Sequence, residues 1–97
     1  MLRHLVAWNL KPAHNNPETL ALVHRELASL KDRVPLVKSL TVVSTAILPR
    51  SNRQIMLDTI FEDEAALDAY LIHPEHKQVV EVISHLLDER TVVDYLF

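Results

Sequence analysis

The sequence predicts an α+β fold, and three observations carry that reading. Segments of strand character and helix character follow one another in the order β-α-β-β-α-(α)-β. The 97 residues suffice for one small domain, residues 1–97, and are too few for two domains or a larger barrel. Hydrophobic residues make up 48% and aromatics only 5%, so the core is aliphatic, and 24% charged residues fit a folded rather than a disordered chain.

Leu2 to Leu10 reads as the first strand. His4, Val6, Trp8 and Leu10 share one face, and Leu5 and Ala7 lie on the other. A strand that is apolar on both faces is covered on both. Lys11 to Asn16 is a loop, and Asn16-Pro17 starts a helix: a capping side chain, then a proline where no N–H is needed. Leu20, Val23, His24, Leu27 and Leu30 form its inner stripe, and Pro35 marks the exit.

Val37 to Leu48 and Gln54 to Phe61, rich in Thr, Val and Ile, read as two further strands. Pro49-Arg50-Ser51-Asn52-Arg53 joins them, with Asn52 expected in the left-handed region because no glycine is present. Asp63 caps a second helix from Glu64 to about Ile72, with Ala66, Leu67 and Tyr70 inward. His73-Pro74 interrupts it, and a third helical segment runs from Glu75 to Leu87. Thr91 to Phe97 is the last strand.

Short connections and crossover handedness turn this order into a ferredoxin-like βαββαβ fold: a four-stranded antiparallel sheet in order 4-1-3-2 with helices on one face. The other face then exposes Leu5, Ala7, Val43, Met56, Ile60, Val93 and Tyr95. A patch of that kind marks an interface, so a two-fold homodimer, sheet against sheet, is expected. Asp58 would lie on that face and needs a cationic partner, for which Arg3 on the neighbouring strand is the candidate.

Composition excludes several function classes. The chain has no cysteine, which removes disulfides and thiolate chemistry. It has no glycine, which removes the P-loop and the dinucleotide fingerprint. A formal charge of −3 gives no footprint for a phosphate backbone, and Ile55 to Ile60 lacks the aromatics and glycines of an RNA-reading strand, so no nucleic-acid partner is expected. No apolar run is long enough to span a membrane, and the start MLRHLVAWNL is too short and interrupted for a signal peptide. A cytoplasmic protein is expected.

The chain resembles the stress-response A/B barrel (Dabb) family of dimeric α/β-barrel proteins. The resemblance rests on Leu2-Arg3-His4-Leu5-Val6, Val34-Pro35 before Val37-Lys38-Ser39-Leu40, Phe61-Glu62-Asp63, Ala69-Tyr70, His73-Pro74-Glu75-His76 and Val92-Val93-Asp94-Tyr95. It spans nearly the whole chain in order. Leu36 departs from it, standing where the family usually has glycine. The resemblance implies little about activity. Some plant members are stress-induced, and one branch comprises polyketide cyclases that close rings by aldol chemistry. There a histidine base and a tyrosine act in a pocket between sheet and helices, matching His76 and Tyr70.

The residues suggest a similar constellation independently. Antiparallel pairing brings His4, at the start of strand one, near Asp94, close to the end of strand four, on the helix-covered face. Tyr70, His73 and His76 lie around the helix break above it. In a proton-abstraction reading His76 is the base, Asp94 its orienter, Tyr70 the oxyanion donor and His4 a second polar contact. Trp8, His24, Leu27, His73 and Val79 would line the pocket. In a structural reading His73 is an N-cap, and His76 bonds Asp94 to pin helix to sheet. His73 and His76 stand three apart, but Pro74 distorts the spacing, so no metal is expected, and no cofactor.

Two functions remain open. One is a small dimeric protein whose pocket between sheet and helices holds a small hydrophobic metabolite. The alternative is a cofactor-free, polyketide-cyclase-like lyase or isomerase with His76 as general base.

Overall fold

A computed structural model of the chain describes residues 1–97. The strands are β1 (Leu2–Leu10), β2 (Ser39–Val43), β3 (Ile55–Phe61) and β4 (Leu87–Leu96). The helices are α1 (Pro17–Arg33), α2 (Glu64–Leu71) and α3 (Pro74–Ile83), with short 3₁₀ turns at Pro12–His14 and Ser84–Leu86. The sheet is antiparallel in the order β2-β3-β1-β4, the ferredoxin-like arrangement expected from the sequence.

Register separates the two faces. Leu2, His4, Val6 and Leu10 of β1 and Ile55, Leu57, Thr59 and Phe61 of β3 are buried under the helices. Val23, Leu27 and Leu30 of α1, Leu67 and Tyr70 of α2, and Val79 and Ile83 of α3 complete that aliphatic core. Arg3, Leu5, Ala7, Met56, Asp58 and Ile60 point the other way and are only half-buried, while Val93 and Tyr95 are exposed. Arg3 Nε donates to Asp58 Oδ1 at 3.0 Å on that open face, the pair anticipated for the central carboxylate. No helix is long and apolar enough to cross a membrane.

The helix starts follow local chemistry. The Asn16 side chain accepts from the Thr19 N–H with Pro17 behind it, and Asp63 accepts from the Ala66 N–H. His73 caps α3 by accepting the Glu75 N–H on Nδ1 at 3.1 Å.

Four elements have boundaries that differ from expectation. The second strand covers Ser39–Val43 rather than Val37 to Leu48. Val37 is buried as a core plug beneath the Pro35-Leu36 turn, and beyond the Val43–Met56 pair the facing chain offers Pro49 and a polar loop instead of a ladder. That turn needs no positive φ, so Leu36 fits without a glycine. The third strand begins at Ile55, one residue later than read.

At the other end, α3 stops at Ile83, not Leu87, and β4 starts at Leu87, not Thr91, because β1 extends to Leu10 and pairs with Leu87 and Asp88. The left-handed residue is Glu89, at φ 53°, and not Asn52.

Candidate functional site

Between the sheet and α1–α3 lies a cavity of about 240 Å³. Its walls are apolar: Val6, Trp8, Leu57, Leu27, Val79 and Ile83 contribute from four elements. Three polar side chains, His4, His76 and Arg90, complete the lining, with the Tyr70 ring between the two histidines.

His4 stands directly opposite Asp94 across the β1–β4 ladder, so the two side chains leave the same face as cross-strand neighbours. Their contact is a hydrogen bond from His4 Nδ1 to the Asp94 carboxylate. The His4 side chain is 5% exposed and that of Asp94 40%, so the imidazole is buried and its carboxylate reaches solvent. A carboxylate accepts, which places the proton on Nδ1 and leaves Nε2 unpartnered within the chain. No fully buried side-chain nitrogen or oxygen lacks a partner, so that nitrogen opens onto the cavity.

His76 is held differently. Its Nδ1–H donates to the Leu71 carbonyl at 3.1 Å, across the break between α2 and α3 that Pro74 creates. A carbonyl can only accept, so this bond also fixes the tautomer and leaves Nε2 as the basic nitrogen. Burial holds the imidazole below the ordinary histidine range, and the nearby His4, Arg90 and His73 reinforce that against the opposing Leu71 bond. His76 is therefore neutral at neutral pH.

Tyr70 is almost fully buried, and burial pushes its phenol well above the usual range. Its ring packs 4.9 Å from Phe61 and 4.5 Å from His76, and Phe61 lies 6.4 Å from His4. The aromatic series His4–Phe61–Tyr70–His76 thus runs from the sheet to the third helix and fixes the spacing of the two imidazoles.

The expected site is brought together in part. His4, Tyr70 and His76 surround the cavity, and Trp8, Leu27 and Val79 line it. Asp94 bonds His4, not His76, because register pairs it with the strand histidine while the helix-break histidine finds a backbone carbonyl. His73 is spent as an N-cap and does not line the cavity. Neither does His24, whose Nδ1 lies 2.8 Å from the Ser44 hydroxyl and ties α1 to the chain leaving β2. Arg90 escaped notice in the sequence, although it has the same even parity as Val92 and Asp94 in β4.

The arrangement can hold a small apolar molecule with its polar end against two imidazoles and a protonated phenol. Proton abstraction by an imidazole Nε2, with the phenol donating to a developing oxyanion, lies within its chemistry.

The family model of the stress responsive A/B barrel domain matches residues 2–97. Among solved structures, the chain is similar to a dimeric ferredoxin-like protein of unknown function from Bacteroides fragilis, at 21% identity and TM-score 0.82, covering 99% of this chain and 95% of that one. It is similar to another such dimeric protein from Thermobifida fusca, at 21% identity and TM-score 0.86, covering 99% and 90% of the two chains. A hydroxynitrile lyase from Passiflora edulis shares the fold at 12% identity and TM-score 0.84, covering 99% and 92%. No curated protein matches in sequence. The chain belongs to the stress responsive A/B barrel domain family.

Proposed function

We propose that this member of the stress responsive A/B barrel family works as a two-fold homodimer, closed sheet against sheet, whose helix-side cavity receives a small apolar carbonyl compound. The cavity carries the reading: about 240 Å³ of space with imidazole nitrogens on otherwise apolar walls. Binding sites for small molecules have this makeup, mostly apolar with a few convergent polar groups. The volume is that of about eight waters, which limits the ligand to a compact molecule. The dimer reading rests on the half-buried apolar open face and on the dimeric state of the Bacteroides fragilis and Thermobifida fusca proteins.

The test uses Trp8, the single tryptophan and a residue of the cavity wall. Titration with aryl-substituted β-diketones is expected to shift its emission saturably, and Leu27→Trp, read by calorimetry, is expected to abolish binding by filling the space. A panel that leaves Trp8 unchanged sinks the proposal. Light scattering at micromolar concentration is expected to give twice the mass of one chain.

One observation favours a second reading, catalysis without a cofactor: His76 is neutral, with Nδ1 tied to a carbonyl and Nε2 free. Nε2 would take the proton next to the carbonyl, the enolate oxygen would accept a hydrogen bond from Tyr70, and the imidazolium would return the proton to carbon or to a leaving oxygen. The His4–Asp94 pair would stabilise a second charge at the other wall. A relative that is a hydroxynitrile lyase does not decide this, since fold does not imply function. Solvent exchange of the β-diketone α-proton is the measurement. His76→Ala is expected to slow it by 100-fold or more, the usual contribution of a general base; equal exchange in both proteins leaves binding as the function.

A further inference from the structure

Arg90 is a cation at the cavity wall that the chain itself does not neutralise. The five ion pairs join Arg3 to Asp58, His4 to Asp94, Arg33 to Glu26 and to Glu75, and Arg53 to Glu89; none includes Arg90. The remaining lining contains no carboxylate.

A local irregularity puts Arg90 there. Leu87 pairs with Leu10 and Asp88 with Asn9, while Thr91 pairs with Ala7 and Val92 with Val6. Between those pairs, Glu89 and Arg90 together face Trp8 alone. This is a β-bulge, with Glu89 in the left-handed region at φ 53°, where a side chain is disfavoured. Counted by strict alternation from the buried Leu87, Glu89 would face the helices and Arg90 the open side. The bulge exchanges them. It is held from outside: Arg53 Nε donates to the Glu89 carbonyl at 2.8 Å, and Asn9 Nδ2 donates to the Glu89 carboxylate at 3.1 Å. The acid is drawn out to Arg53 and Asn9, and Arg90, itself solvent-exposed, is placed on the cavity side, at its rim.

The geometry points to a carboxylate-anchoring role for Arg90: the cavity takes a small apolar acid whose carboxylate pairs with the Arg90 guanidinium while its body lies against Trp8, Leu27 and Val79. The inference rests on the cavity reading above and names the ligand class. A planar guanidinium matches a carboxylate with two parallel bonds. A phosphate monoester carries about −1.5 to −2 charge at neutral pH, and one arginine with no lysine beside it on the lining would leave it undercompensated.

The test compares 4-phenylbutyrate, its methyl ester and 3-phenylpropyl phosphate by Trp8 emission, in the native protein, Arg90→Gln and Arg90→Lys. The native protein is expected to prefer the acid over the ester by about tenfold or more, the scale of a charge-assisted bidentate pair. Arg90→Gln is expected to erase the preference while ester affinity stays unchanged, and Arg90→Lys to keep part of it. Equal binding of acid and ester, or a preference that survives Arg90→Gln, overturns the anchoring role and leaves the cavity reading intact. Tighter binding of the phosphate overturns the carboxylate assignment. Binding of none of the three overturns this inference together with the apolar-cavity reading beneath it.

Discussion

Phe61 and Ile60 are neighbours in β3, and their side chains leave the sheet in opposite directions. Phe61 is fully buried among Tyr70, His4 and the helices, while Ile60 lies half-covered on the open face beside Arg3 and Asp58. The helix-side face is finished within one chain: its polar groups have partners or open onto a cavity. The open face is unfinished, an apolar surface with one ion pair at its centre. Period-two alternation thus lets the same strands wall a cavity on one side and carry a half-buried apolar surface on the other without either constraining the other.

The largest effect expected from this comparison is on stability. Phe61→Ala removes an aromatic that spaces Tyr70 from His4 and should cost about 3–5 kcal/mol in urea unfolding. Ile60→Ala should cost less than about 1 kcal/mol at dilutions where the protein is a monomer, with a larger cost at high concentration. Equal costs at all concentrations would erase the distinction between the faces.

Next in size is a charge placed on the open face alone. Ile60→Lys is expected to convert the dimer to a folded monomer, seen as a halved mass with an unchanged far-UV spectrum. Arg3→Met should act in the same direction by leaving Asp58 without its partner, again with little loss of monomer stability, because both side chains are about a third exposed there, 32% and 27%. A dimer insensitive to both substitutions would place the interface elsewhere.

Much of this division is legible in the sequence. His4 and Val6 alternate with Leu5 and Ala7, and the same parity locates Asp58 opposite to the helices and pairs it with Arg3. The site was legible as a set of residues and less so as a set of bonds. The sequence predicts Asp94 as the partner of His76, although the antiparallel pairing of strand ends that it also predicts already brings Asp94 beside His4. What the sequence cannot display is the carbonyl of Leu71, freed by the helix break, which accepts the hydrogen bond from His76 Nδ1–H. The segment Asp88-Glu89-Arg90 lies between the elements the sequence predicts and no glycine marks its bulge, so the extra ladder pairs stay hidden, while the parity Arg90 shares with Val92 and Asp94 is the one sign of its inward turn.

The helix-side face should also respond to acid through His76. His76 has a depressed pKa when folded, so between its folded and unfolded values the unfolded chain binds more protons. Its contribution to stability is therefore present above the unfolded value of about 6.5 and is lost as pH falls below it toward the folded value. His76→Gln is expected to flatten the acid limb of the unfolding midpoint against pH. If the exchange reaction occurs, its rate should hold level down through that value and fall only below it. An unflattened limb would mean that another group, not His76, titrates there.

The smallest expected effect lies where the two faces trade residues. Glu89 sits in the left-handed region, which costs a residue with a side chain about 1–2 kcal/mol and costs glycine little. Glu89→Gly relieves that strain, but it also loosens the unfolded chain and removes the carboxylate that accepts from Asn9 and pairs with Arg53 at 3.5 Å. Both losses are small, the pair because it is exposed. The net gain should be at most about 1 kcal/mol, read as a slightly raised urea midpoint. The bulge itself should persist, since the Arg53 bond to the residue-89 carbonyl does not depend on the side chain. Glu89→Val, which tolerates the left-handed region poorly, should instead lower the midpoint. If valine and glycine behaved alike, the bulge would not be held at positive φ, and the placement of Arg90 on the cavity side would lose its cause.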